Sequence, residues 1–340
     1  MNQVEDRRAA ISARVKEHYN YLVAAGYDVV FTALQGSQNY GLDEYTDDYC
    51  SDVDTKSIIL PSLDDFIKAK QPISAVEILE NEEHAEVKDI RVMFEMFKKE
   101  NISYIELLYS DYIVFNPKYE EMIKPIFDRR DEIALADTAQ FLKCIAGMAY
   151  EKDKALCHPY PGIIEKIEKY GYDGKQLSHC FRLLLFMLDF AHGRPVSACY
   201  KPDEEFKMVL MNYKKQLDAD GLPLSKEWAA ALSKRYMSAV KELKDELIEE
   251  HDYGVNVGIW DFLNEIKAKI LKYKITKQVI REYKASTLKE MMDYDGYFVY
   301  PDEDFRKAER AAIERMKVEP KNNFFDYYEE DKNEKKNENA

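Results

Sequence analysis

The sequence predicts an α+β protein, an N-terminal mixed sheet with helices followed by a helical domain. Three observations predict it. Residues 27 to about 125 alternate short apolar runs with helical patterns, beginning at Tyr27–Leu34, YDVVFTAL. From Arg129 onward the pattern turns to long helical stretches, punctuated by Pro159, Pro161, Gly171, Gly174, Gly193, Pro195, Gly221 and Pro223. The chain has 340 residues, 46% hydrophobic and 13% aromatic, enough to bury a large core in two domains. The expected division is 1–128 for the α/β domain and 129–320 for the helical domain. Residues 321–340 have the composition of a disordered tail, with Phe324, Phe325, Tyr327 and Tyr328 docking its start.

In order along the chain, residues 1–26 read as an amphipathic helix, too charged for a signal peptide. Tyr27–Leu34 reads as a buried strand, and Gly36-Ser37 opens a short helix or loop. Val53–Leu60 reads as a second strand, entered through Asp52-Val53-Asp54. Glu86–Val92 alternates polar and apolar residues as a half-buried strand does, with Val87, Asp89 and Arg91 on one face. Val92–Lys99 is helix-like. Helices are then expected at 137–150, 162–169, 175–192, 202–219, 226–251 and 258–283. No apolar run reaches the length of a membrane span; Phe181–Phe190 is broken by Asp189. The five cysteines (Cys50, Cys144, Cys157, Cys180, Cys199) are odd in number, unclustered and without C-x-x-C, which points to a reducing cytoplasm.

Side chains on a strand alternate faces, so Asp52 and Asp54 point the same way. Two carboxylates so placed repel each other unless a cation lies between them, and Mg²⁺ suits such a pair together with substrate phosphates. Residues 43–54 carry five aspartates and a glutamate, which also suggests Ca²⁺, but the central Gly and closing Glu of an EF-hand loop are absent. Neither a P-loop nor a G-x-G-x-x-G after a strand is present. Lys175, His179 and Arg182 fall at i, i+4 and i+7, on one helical face, as a phosphate clamp or as a solvated basic stripe. His158 and His192 read as structural. Residues 266–289 hold eight basic residues against Glu282, a patch for RNA or triphosphate or a solvated helix face. The net charge of −15 disfavours a groove for long duplex nucleic acid.

The order of apolar strand, Gly36-Ser37, Tyr40-Gly41-Leu42, Ser51-Asp52-x-Asp54 and a later strand Asp89 resembles the DNA polymerase β-like nucleotidyltransferase superfamily. Within it, GSQNYGL followed by SDVDTK is similar to the predicted nucleotidyltransferases of bacteria and phages linked to RNA repair. The spacer between Ser37 and Asp52 is slightly longer than usual there, and its polar, acidic residues Asp43, Glu44, Asp47 and Asp48 suit a looped-out insertion. The resemblance implies transfer of a nucleoside monophosphate from an NTP, ATP favoured, to an acceptor hydroxyl, with release of pyrophosphate. It implies two Mg²⁺ ions, replaceable by Mn²⁺, on Asp52, Asp54 and Asp89. Gly36, Ser37 and Tyr40 would hold phosphates, and Lys175, His179 and Arg182 match a basic helical triad after the catalytic domain. The acceptor stays open among an RNA end, a protein hydroxyl and a small molecule. A reading from another class is a catalytically silent nucleotide-binding module of a toxin–antitoxin or phage-defence pair.

Overall fold

The computed structural model describes residues 3–43, 51–79 and 82–293, the side chains of 3–6 and 285–293 excepted. Glu44, Asp47, Asp48, Cys50 and the expected tail at 321–340 lie outside the described residues, as do the side chains of Lys289 and the four tail aromatics. Residues 1–278 form one compact unit; residues 279–340 form a second, of which only the end of one helix is described.

The first unit is α+β. Helix α1 (Gln3–Ala24) leads into β1 (Asp28–Leu34), a single 3₁₀ turn (Ser37–Tyr40) and β2 (Thr55–Leu60). Then come α2 (Leu63–Ile67), β3 (Ser74–Ile78), β4 (His84–Asp89), α3 (Ile90–Lys98), α4 (Ile102–Ile105) and β5 (Ile113–Phe115). The helical region continues with α5 (Glu120–Asp128), α6 (Arg130–Ala134), α7 (Thr138–Ala155), α8 (Ile164–Tyr170) and α9 (Gly174–Ala191). It closes with α10 (Val196–Cys199), α11 (Glu204–Lys214), α12 (Lys226–Glu250) and α13 (Val257–Asp293).

The five strands form one mixed sheet in the order β3-β4-β2-β1-β5. β1 and β2 are antiparallel, with Leu34 opposite Thr55. β2 and β4 are parallel, in register from Thr55↔Ala85 to Ile59↔Asp89. The end of β1, the start of β2 and the start of β4 therefore meet at one edge of the sheet, where the candidate site is built. α1 covers one face: Leu22 packs with Val29, Ile59, Ala85 and Val87, and Ile11 and Val15 with Leu34 and Val53. The other face begins with Val30, Ile58 and Leu60 and continues without a break through Phe94, Ile105, Phe141 and Leu183 to Leu263 and Ile270. α9 is the hub of the helical region, with α7, α11 and α12 packed around it.

Two expectations shift. The strand expected to run through Val92 stops at Asp89, because the Asp89 carboxylate accepts from Arg91 N at 2.8 Å and caps α3. The basic run on α13 is partly tied to the sheet region: Lys274 pairs with Asp28, Lys267 lies 3.7 Å from Glu95, and Gln278 accepts from Leu63 N. Among the described residues no helix is long and apolar enough to cross a membrane, and Cys144, Cys157, Cys180 and Cys199 are free thiols.

Candidate nucleotide site at the edge of the sheet

The site starts with a one-turn helix held between two glycines. Gly36 has φ 88° and ψ −158°, a region essentially reserved for glycine, and Gly41 ends the turn at φ 70°. A Cβ on Gly41 would also meet Lys207 Nζ at 3.1 Å. Ser37 opens the turn, and its carbonyl accepts from Leu42 N at 3.0 Å. The loop is pinned to its neighbours. Gln38 Nε2 donates to Ser51 O at 3.2 Å, and Asn39 Nδ2 to Leu34 O at 2.8 Å.

Asp52 and Asp54 come next to this turn. They sit just ahead of β2 rather than inside the strand, which begins at Thr55. Gln35 N donates to Asp54 O at 2.9 Å, tying the pair to the end of β1. Val53 faces α1, so Asp52 and Asp54 face the helical region. Asp52 is exposed, Asp54 half-buried. The Asp52 carboxyl is held above its ordinary value, first by partial desolvation, then by repulsion from Asp54 and Glu83, with His84 and Lys175 opposing. The charge of Lys175 thus reaches Asp52 from α9. Asp54 Oδ1 accepts from His84 N at 3.2 Å and lies 3.4 Å from His84 Nδ1.

Asp89 is not brought to this pair. It is level with Ile59, at the opposite end of β4 from His84, about 16 Å along the strand at 3.3 Å per residue. It also lies on the α1 face with Val87 rather than on the face of Asp54. Its carboxylate is fully buried and taken up by Arg91, with Nε 3.0 Å from Oδ1 and the terminal nitrogen 2.6 Å from Oδ2. This is a structural cap and ion pair. The carboxylate that does share the Asp54 face and edge is Glu86, opposite Lys56 in the parallel register. Glu86 Oε2 lies 3.5 Å from Lys56 Nζ and 3.7 Å from Lys88 Nζ. Sequence alternation held the signal for it, since Glu86 stands on the polar side of that strand.

The α9 stripe closes the site from the helical region. Asp173 caps α9 and accepts from Lys175 N at 3.1 Å. Lys175 is exposed, His179 half-buried, and Arg182 only 4% exposed. The Arg182 guanidinium lies over the Tyr40 ring, 4.0 Å from its centroid. Its Nε is buried without a hydrogen-bond partner. The Tyr40 hydroxyl donates to Glu106, and burial followed by that carboxylate drives the phenol far above its ordinary value. Lys152, on α7, was missed by sequence reasoning because no spacing links it to α9. Burial, then Lys175 and Arg182, lowers its ammonium. His179 is pushed well below its ordinary value by burial and then by Arg182, Lys152, Lys175 and Lys214. Several cations crowd here, with the Glu106 carboxylate beside them.

Among the described residues no three His, Cys, Asp or Glu side chains converge as a metal cage would. The donor chemistry nevertheless fits a divalent cation carried in with phosphates: Asp52 and Asp54 share a face, and burial, then repulsion from Asp54, raises Asp52.

Comparison with known families and with curated sequences finds no match. Among solved structures, the chain is similar to a nucleotidyltransferase-like protein from Exiguobacterium sibiricum 255-15. The identity is 11% and the TM-score 0.25, over 71% of this chain and 80% of that one. At that distance the functional reading rests on the geometry of this chain.

Proposed function

We propose that the protein is a Mg²⁺-dependent nucleotidyltransferase that moves a nucleoside monophosphate from an NTP, ATP favoured, to an acceptor hydroxyl and releases pyrophosphate. One observation carries the reading. The glycine-bracketed turn, the Asp52–Asp54 pair and the α9 basic stripe meet at one sheet edge, with Arg182 stacked on Tyr40 of the turn. Backbone amides around Gly36 and Ser37 cradle the β- and γ-phosphates, and the absent side chain of Gly36 lets the backbone approach them. Asp52 and Asp54 would hold the cations, with Glu86 as the third carboxylate in place of Asp89. A divalent cation bound there would supply positive charge to the in-line displacement. Lys152, Lys175 and Arg182 neutralise charge gathering on the departing pyrophosphate. His179, kept neutral by burial and then by its cationic neighbours, is free to accept a hydrogen bond. Incubation with labelled NTPs, Mg²⁺ and total cellular RNA or lysate tests the reading. Consumption of one NTP with label on an RNA end, protein or small molecule supports it.

A second reading has its own observation: Asp89 is consumed by Arg91, and among the described residues no cage of three carboxylates stands ready. A silent nucleotide-binding module of a toxin–antitoxin or phage-defence pair would bind NTP without turnover under every acceptor condition.

A further inference from the structure

The segment that carries Asp52 and Asp54 is held from the face opposite its carboxylates. Residues 51–54 precede β2 and make no ladder with β4, whose register starts at Thr55↔Ala85. Val53 N instead donates to Glu83 Oε1 at 3.1 Å. Glu83 is one residue ahead of β4 and level with Val53, so its side chain supplies the acceptor that a longer strand's backbone would supply. The other oxygen, Oε2, is gripped by α1. It accepts from Arg14 Nε at 3.1 Å and the Arg14 terminal nitrogen at 2.6 Å, and His18 Nε2 lies 2.9 Å away. His18 is fully buried, with Nδ1 2.9 Å from Thr55 Oγ1. Those partners assign a ring that donates from Nε2 to Glu83 and accepts from Thr55 at Nδ1. A buried carboxylate is costly unless its lone pairs are met, and here each oxygen has a donor. The chemistry proposed above uses none of these groups.

We propose that Glu83, anchored by His18 and Arg14, is a positioning residue that fixes the backbone between Asp52 and Asp54 and so presents both carboxylates together to a divalent cation. This rests on reading Asp52 and Asp54 as a cation-binding pair. Glu83 acts through Val53 and touches no substrate. The clamp also ties the site to α1.

The test uses the full chain, with Glu83→Ala, Glu83→Gln and His18→Leu. Amide hydrogen exchange is followed at Val53 and at Ile58, and Mn²⁺ affinity is measured without nucleotide by water-proton relaxation. In Glu83→Ala, exchange at Val53 rises by roughly tenfold or more while Ile58 stays protected, and Mn²⁺ affinity falls by about tenfold. Glu83→Gln keeps an oxygen for Val53 N and recovers most of the protection. His18→Leu gives a smaller change in the same direction. Unchanged protection of Val53 in Glu83→Ala overturns the proposal. So does equal loss of protection at Val53 and Ile58, or lost protection with Mn²⁺ affinity intact. A wild type that binds no Mn²⁺ overturns the cation reading of Asp52 and Asp54 instead, and exchange at Val53 then decides the clamp by itself.

Discussion

Asp52, Glu86 and Asp89 are three acidic residues with three different surroundings, and each predicts a different mutant. Asp52→Asn and Asp54→Asn abolish NTP turnover while the fold survives. Because the Asp52 pKa is raised in the folded protein, the folded state binds its proton more tightly than the unfolded chain does. Its charged form therefore weakens the fold as pH rises past the ordinary carboxylate range. Asp52→Asn should melt no lower than wild type at pH 7, and any advantage should vanish on acidification toward pH 4, as calorimetry would show. Asp89→Ala breaks a buried pair and a cap, costing about 2–4 kcal/mol of stability with nucleotide affinity per folded molecule retained. Glu86→Gln gives the converse: near-native stability and lost turnover. If Asp89→Ala at low temperature is fully folded yet inert, the exchange of roles between Glu86 and Asp89 is refuted. Arg182→Ala removes both the Tyr40 stack and a buried cation. It should weaken NTP by about 1.5–3 kcal/mol and the matching monophosphate far less, as titration calorimetry would read. Equal losses for both ligands would exclude a triphosphate clamp.

At the level of elements, most of the helices and the two strands nearest the site are legible in the sequence, and the exceptions have physical causes. β5 is three residues long, too short for any period to register. β3 reads SAVEI, but its exposed face carries Val76 and Ile78, so the usual alternation is inverted. Asp89 sits on a strand pattern that runs on to Val92, and only its carboxylate reaching Arg91 N shows that a helix has begun. The motif residues at 36–54 and the α9 spacing are readable because they are local. Glu83, Lys152 and His18 were hidden because long-range packing alone gives them partners. Glu100 joins α3 to α4 at φ 53° and accepts from Asp137 N, at the start of α7. Burial pushes its carboxyl up to about 8 from an ordinary 4.5. The folded state therefore holds this proton across that interval, and stability drains away as pH rises from about 4.5 to about 8, then levels off. Glu100→Gln, which keeps an oxygen for Asp137 N, should abolish the slope. Denaturant melts of both proteins from pH 5 to 9 would check it; parallel curves would mean that Glu100 is ionised throughout.

For the whole molecule, the apolar face of the sheet is continuous with the helices, so Ile58, Leu60 and Phe94 belong to the same core as Leu183, Leu263 and Ile270. A fragment of residues 1–128 should expose that face and aggregate or stay molten, whereas 1–278 should fold, with dispersed amide spectra as the readout. A soluble, cooperative 1–128 fragment would show that the α/β part is an independent domain. The parallel pairing of β2 with β4 has one more consequence. The chain leaves β2 at Leu60, at the end of the strand away from the site, and returns to the edge of the site at His84. The stretch between is an excursion whose length does not set the separation of Asp54 from Glu86. Extra residues at 69–72, all exposed, lengthen the detour without moving its endpoints. A six-residue glycine–serine insertion there should leave turnover within about threefold of wild type, since loop-closure cost grows only slowly with length. The interval between acidic residues along this chain is thus a poor ruler for the proposed cation site, and a search built on fixed gaps would pass over Glu86.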